Sequence, residues 1–141
     1  MASTRMTMTD DPTRDERDYL DERIYEYNVA TTGITDGRLM LFTVRDEQEH
    51  VIAGLSGWSW GGCMEIEYLW VREQWRGKGL GAQLLAAAEA EGIARGCTQV
   101  VIDTHSFQAP EFYKKHGYEV YGAVDNYPRG FAHIHLKKEL P

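Results

Sequence analysis

Three glycines in five residues, Gly77, Gly79 and Gly81, separate a stretch that reads as a strand from one that reads as a helix. Nothing else in the chain restricts its fold as tightly. Upstream, Cys63-Met64-Glu65-Ile66-Glu67-Tyr68-Leu69-Trp70-Val71 is rich in β-branched and aromatic residues and predicts a strand with Glu65 and Glu67 on one face. Downstream, Leu84, Leu85, Ala88 and Ile93 recur at helical spacing and predict a helix over Leu80 to Ala94, broken at Gly96. Such a unit puts the turn Trp75-Arg76-Gly77-Lys78-Gly79-Leu80-Gly81 at the carboxyl end of a strand, where open α/β sheets bind ligands. Bare glycine backbone and the free N–H groups of a helix start converge there, and Arg76 and Lys78 add positive charge. The result is a cradle for a phosphate or pyrophosphate. It is not a Walker A loop, because Lys78 is followed by Gly79 and position 72 is Arg72. It is not a dinucleotide fingerprint either, because Leu84 occupies the place of the third glycine. On the glycines alone, a plain turn into a helix is the alternative.

A chain of 141 residues, 43% of them hydrophobic, suffices for one core. The expected organisation is a loose N-terminus over residues 1–14 and a single domain over residues 15–141, with a short edge strand open around Met6 and Met8. No apolar run approaches the ~20 residues of a membrane span. Residues 1–14 hold no apolar signal region, so a cytoplasmic location is expected. Cys63 and Cys97 lack ligand-like spacing and read as buried thiols, neither a bridge nor a zinc site. The net charge of −7 disfavours nucleic acid as a partner. It suits a cationic substrate, and an acidic soluble surface explains it equally well.

The remaining pattern predicts a helix over Asp15 to Tyr27, with Leu20, Ile24 and Tyr27 on one face. Leu39 to Arg45 and Val51 to Trp60 read as a strand pair. Thr98 to Thr104 is a near-continuous apolar strand, as a central position requires. Ala109 to His116 reads as a short helix stopped by Gly117. Tyr118 to Ala123 and Phe131 to Lys138 are two last strands joined by a loop. The class is a mixed α/β sheet.

Leu69-Trp70-Val71, then Arg76-Gly77-Lys78-Gly79-Leu80-Gly81-Ala82-Gln83-Leu84-Leu85, then Phe112-Tyr113-Lys114-Lys115-His116-Gly117-Tyr118 resemble successive segments of the GNAT superfamily of acyl-CoA-dependent N-acyltransferases. The resemblance spans roughly Leu39 to Leu136. It implies a central sheet of about six or seven strands, splayed in the middle and flanked by about three to four helices. It also implies acetyl-CoA as donor, a primary amine as acceptor and direct transfer through a ternary complex. Arg76, Gly77, Lys78, Gly79, Leu80, Gly81 and Ala82 match the segment that holds the coenzyme pyrophosphate. A Cβ at Gly79 or Gly81 would push the phosphates away or strain a positive φ. Leu69, Trp70 and Val71 match the strand end that pairs with the pantetheine arm like an added strand, with a backbone N–H near Leu69 polarising the thioester carbonyl. Glu67 falls where members of polyamine type carry a carboxylate base, and Glu65 is the second candidate; either carboxylate could instead only attract a cation. Tyr113 matches the tyrosine that donates a proton to the leaving sulfur; packing with Phe112 is the other reading. Where many members carry an Asn contacting pantetheine, this chain has Ser106, with Gln108 as a substitute. The family's first strand is weak or absent in Met1 to Arg14.

The acceptor implied is a small amine such as a polyamine, an amine-bearing antibiotic or an amino-sugar. A protein lysine or N-terminus, or a sensor that binds acyl-CoA without turnover, are the other readings. No nucleic acid or membrane partner is expected, and a homodimer is compatible with the family. No metal is expected: His133 and His135 share a face of the last strand without a third ligand. His105 reads as a structural histidine. Trp58, Trp60 and Trp70 read as lining of the core and acceptor cleft, and Tyr127 and Arg129 lie where members shape the acceptor pocket.

Overall fold

The structure, a computed structural model, describes residues 2–141. These form two compact units, one up to Thr35 and one from Asp36 to Pro141. In the first, residues 2–13 form no strand or helix, so the edge strand around Met6 and Met8 is not made. Two methionines in an otherwise polar segment offer too little apolar area to hold one, and they are 97% and 80% exposed. Helix α1 (Arg14–Thr32) begins with a capping box. Thr13 Oγ1 accepts the Glu16 N–H at 3.1 Å, and Glu16 Oε1 accepts the Thr13 N–H at 3.0 Å. It ends where Gly33 turns left-handed and its N–H reaches the Val29 carbonyl at 2.8 Å. Leu20, Ile24 and Tyr27 are exposed on it.

The second unit is a mixed sheet of six strands in the order β1-β2-β3-β4-β6-β5. Strands β1 (Arg38–Arg45), β2 (Val51–Trp60) and β3 (Cys63–Val71) form an antiparallel meander. Helix α2 (Leu80–Ala94) carries the chain across to β4 (Gln99–His105), which runs parallel to β3. Helix α3 (Pro110–Lys115) leads to the hairpin of β5 (Glu119–Asp125) and β6 (Ala132–Glu139), with β6 inserted beside β4. One face of the sheet buries Leu55, Met64, Ile66, Val100, Ile102 and Leu136 against Leu84, Leu85 and Ala88 of α2. Complete burial of each large aliphatic chain is worth roughly 1.5–3 kcal/mol. The buried stripe of α2 passes through Gly92, while Ile93, expected in it, is 44% exposed. Both cysteines are free thiols; Cys97 is buried, and Cys63, expected to be buried as well, is only half-buried.

Two departures from an ideal sheet shape the site. Ser56 faces Tyr68 while Gly57 faces Ile66, which leaves Glu67 as an extra, bulged residue. Side-chain parity reverses there: Met64 and Ile66 are buried before the bulge, and Leu69 and Val71 pack on the core after it. The unbroken strand expected to hold Glu65 and Glu67 on one face is therefore interrupted at Glu67. The second departure follows at once. β3 pairs with β4 only through Cys63–Ile66 against Gln99–Ile102, and the two strands part beyond those pairs.

Gly57 permits the close approach at the bulge, since a Cβ there would run into the Glu65 carbonyl oxygen. Gly57→Ala should destabilise the fold by roughly 1–3 kcal/mol through overpacking. An unchanged Tm in the alanine variant would show that the bulge does not need glycine.

Candidate active site

The turn after β3 is built from short-range bonds. Trp75 N–H reaches the Arg72 carbonyl at 2.8 Å and Arg76 N–H the Glu73 carbonyl at 3.2 Å, closing one 3-10 turn over Glu73–Trp75. Gly77 and Gly79 then adopt φ of 76° and 84°, the left-handed region that glycine enters without strain. The Gln83 N–H makes the first bond of α2, to the Gly79 carbonyl at 3.0 Å. The N–H groups of Leu80, Gly81 and Ala82 precede it and have no acceptor within the helix. They present a positive dipole end to whatever lies in front of α2. Arg76 Nε donates to the Val71 carbonyl at 3.0 Å and fixes its guanidinium at the strand end. Gly81 has no left-handed φ, and a Cβ there would meet Phe112 Cζ at 3.4 Å, an ordinary contact, so neither strain nor crowding demands glycine at this position.

These groups face a cavity of about 650 Å³. Leu69, Trp70 and Val71 form one wall where β3 has left β4. Arg76, Gly77, Gly79, Leu80, Gly81 and Ala82 form the end, and Tyr113 closes the far side with Phe112. Ten residues singled out from the sequence thus meet in one place. Lys78, Ser106, Glu65 and Glu67 do not line it. Lys78 Nζ lies 5.8 Å from the Trp75 ring centroid, a cation–π contact at the crest of the turn. Ser106 Oγ accepts the Ala132 N–H at 2.9 Å, and the Ser106 N–H donates to the Ala132 carbonyl at 2.8 Å, so this residue ties its loop to β6. Gln108 is in the wall. Its Oε1 accepts from Thr104 Oγ1 at 3.1 Å and from the His105 N–H at 2.7 Å, which leaves its NH₂ for a ligand. Phe107 and Ala109 also line the cavity; only their place just after β4 signals it.

Tyr113 is 7% exposed, and burial pushes its phenol up to about 12. Its ring packs edge-on against Phe112 and Tyr118, at centroid distances of 5.2 Å and 5.9 Å. Glu65 accepts the Trp58 indole N–H at 2.8 Å on the sheet face opposite α2. Trp58 is 44% exposed there and is not core. Glu67 is exposed at the bulge, where the two central strands separate.

On that same face β4 and β6 bring together groups far apart in the sequence. Asp103 stands opposite His135 in register, and His105 opposite His133. The third donor thought missing beside His133 and His135 is thus present as Asp103. Asp103 Oδ1 lies 2.6 Å from His135 Nδ1, and Asp103 Oδ2 lies 4.0 Å from His133 Nε2. His105 stacks on Phe107 at 5.3 Å, and its Nδ1–H donates to the Tyr127 carbonyl at 3.2 Å.

Known proteins share this fold. A sequence model of the acetyltransferase (GNAT) family matches residues 4–118. An acetyltransferase of Agrobacterium fabrum is 33% identical over 114 residues, covering 81% of this chain and 83% of its own. Blasticidin-S acetyltransferase of Streptomyces morookaense is 38% identical over 98 residues, covering 67% and 70%. The crystal structure of an acetyltransferase from Bacillus cereus superposes with a TM-score of 0.79 at 34% identity, over 95% of this chain and 98% of that one.

Proposed function

Because the chain belongs to the acetyltransferase (GNAT) family, we propose that it moves an acetyl group from acetyl-CoA directly to the amine of a small molecule. The observation that carries this reading is the junction of the glycine turn with the cavity. Free N–H groups at the start of α2 and the Tyr113 phenol face one space between parted strands. The amides of residues 77–82 and Arg76 hold the diphosphate of the coenzyme. The edge of β3 at Leu69–Val71, which has no partner in β4, bonds the pantetheine arm as an added strand. The bound thioester supplies the activated acetyl group.

The acceptor must lose a proton before it attacks, because an alkylammonium has a pKa of roughly 10. Glu67 takes that proton, with Glu65 as the second candidate; its position where the sheet opens supports the role. Tyr113 serves the departing sulfur. A small acceptor is favoured by the antibiotic acetyltransferase among the relatives and by the net charge of −7, which attracts cations.

Acetyl-CoA offered with a panel of amines, read as release of free thiol, tests the reading. Coenzyme binding without turnover on any amine would overturn it. Glu67→Gln should lower kcat by roughly 10²-fold and flatten the acidic limb of the pH–rate profile. An unchanged profile would move the base to Glu65 or to water.

A further inference from the structure

We propose that Asp103, His133 and His135 form a binding site for a divalent transition-metal ion of the zinc type, on the sheet face turned away from α2. The three residues each offer one donor atom, and those atoms lie within 4.8 Å of one another. Two imidazoles and one carboxylate are the donor set of open three-ligand zinc sites, and imidazole equally suits Ni²⁺ and Cu²⁺.

A plain ion pair does not account for the arrangement. Asp103 and His135 already form a complete pair at 2.6 Å. His133 is then superfluous: its Nε2 stops 4.0 Å from the other carboxylate oxygen, and among the described residues its ring nitrogens make no hydrogen bond. Yet its side chain is only 21% exposed. A half-buried imidazole with no hydrogen bond, aimed near a carboxylate, is short of a partner that a cation supplies.

The position is also rigid. The backbone of all three donors is locked in the β4–β6 ladder, Asp103 against His135 and His133 against His105. The His133 ring is enclosed by His105 at 4.7 Å, Tyr127 at 5.2 Å and His135 at 4.8 Å. Ligand atoms about 2.0–2.2 Å from a tetrahedral ion lie roughly 3.3–3.6 Å apart. The closest donors here must open and the farthest must close, each by about 1 Å, a shift that side-chain torsions supply without moving a strand. Asp103 is exposed, and three protein donors leave a coordination position for water or an exogenous ligand. Ligation through His135 Nδ1 replaces its hydrogen bond to Asp103.

The test uses the full chain freed of any polyhistidine tag and needs no turnover, so its result is separate from that of the acetyl-transfer reading. Zn²⁺ is titrated in competition with a chromophoric chelator, and Co²⁺ is added separately as a visible-absorption probe. One equivalent of Zn²⁺ should bind, and Co²⁺ should give the absorption of a four-coordinate site. His133→Ala, His135→Ala and Asp103→Asn should each weaken Zn²⁺ by at least about tenfold, with Tm of the metal-free variants recorded to confirm folding. If His135→Ala does not fold, His133→Gln and Asp103→Asn decide. No stoichiometric Zn²⁺ binding by the unmodified chain, or equal affinity in folded His133→Gln and Asp103→Asn, would overturn the site.

Discussion

Exchange of Tyr113 for phenylalanine is expected to lower kcat for thiol release by roughly 10²–10⁴-fold, with coenzyme binding and the fold intact. The change removes a single oxygen and keeps the ring that packs on Phe112 and Tyr118. Burial pushes the phenol up to about 12, so it stays fully protonated through the whole range in which an assay runs. A free alkylthiol has a pKa of roughly 8.5, which on its face makes proton transfer from this phenol to a thiolate uphill. The same dry surroundings penalise the thiolate charge and raise the basicity of the sulfur in parallel. In the proposed reaction, Tyr113 would therefore act by donating a hydrogen bond to sulfur as charge builds on it, with transfer late. The defect in the phenylalanine variant should keep one size from mildly acidic to mildly alkaline pH, because no ionisation of the phenol falls in that range. A normal rate in Tyr113→Phe would remove the residue from the chemistry.

The second large effect is on the coenzyme. Gly79→Val should raise the coenzyme KM by at least about 10²-fold, while circular dichroism shows a folded chain. Gly79 sits at φ 84°, which a β-branched residue occupies only under strain, yet the space around it is open. The nearest atom to an added Cβ is Gln83 Nε2 at 3.8 Å. The strain, roughly 1–2 kcal/mol, is relieved by moving the turn and does not unfold the sheet. Moving the turn scatters the amides of Leu80, Gly81 and Ala82. Charge-assisted bonds are worth about 1.5–3 kcal/mol each, and every 1.4 kcal/mol is tenfold in affinity, so two lost bonds suffice. Wild-type coenzyme binding by a folded Gly79→Val chain would place the diphosphate elsewhere.

The parts of the site legible in the sequence are those that local chemistry dictates. Gly77 and Gly79 mark the turn because their own φ values demand glycine, and the strand and helix around them follow from their own periodicity. What the sequence hides is set by partners. The extra residue at Glu67 exists because β2 brings Gly57 against Ile66, and nothing within β3 announces it. Asp103 joins His133 and His135 only through the register of β4 with β6. Ser106 matches a pantetheine contact by position, but the backbone of Ala132 occupies its hydroxyl. Gly92, not Ile93, lies in the buried stripe, close under Met64: a Cβ at Gly92 would stand 3.1 Å from its sulfur.

Where β3 and β4 part, each leaves a row of backbone donors and acceptors without a rung. At the border of a sheet such a row is a liability, since any passing chain can stitch onto it and seed aggregation. Here both rows belong to the interior of one sheet and are turned toward each other, flanked by β2 and β6. The molecule keeps the stickiness of two raw edges while showing neither at its margin.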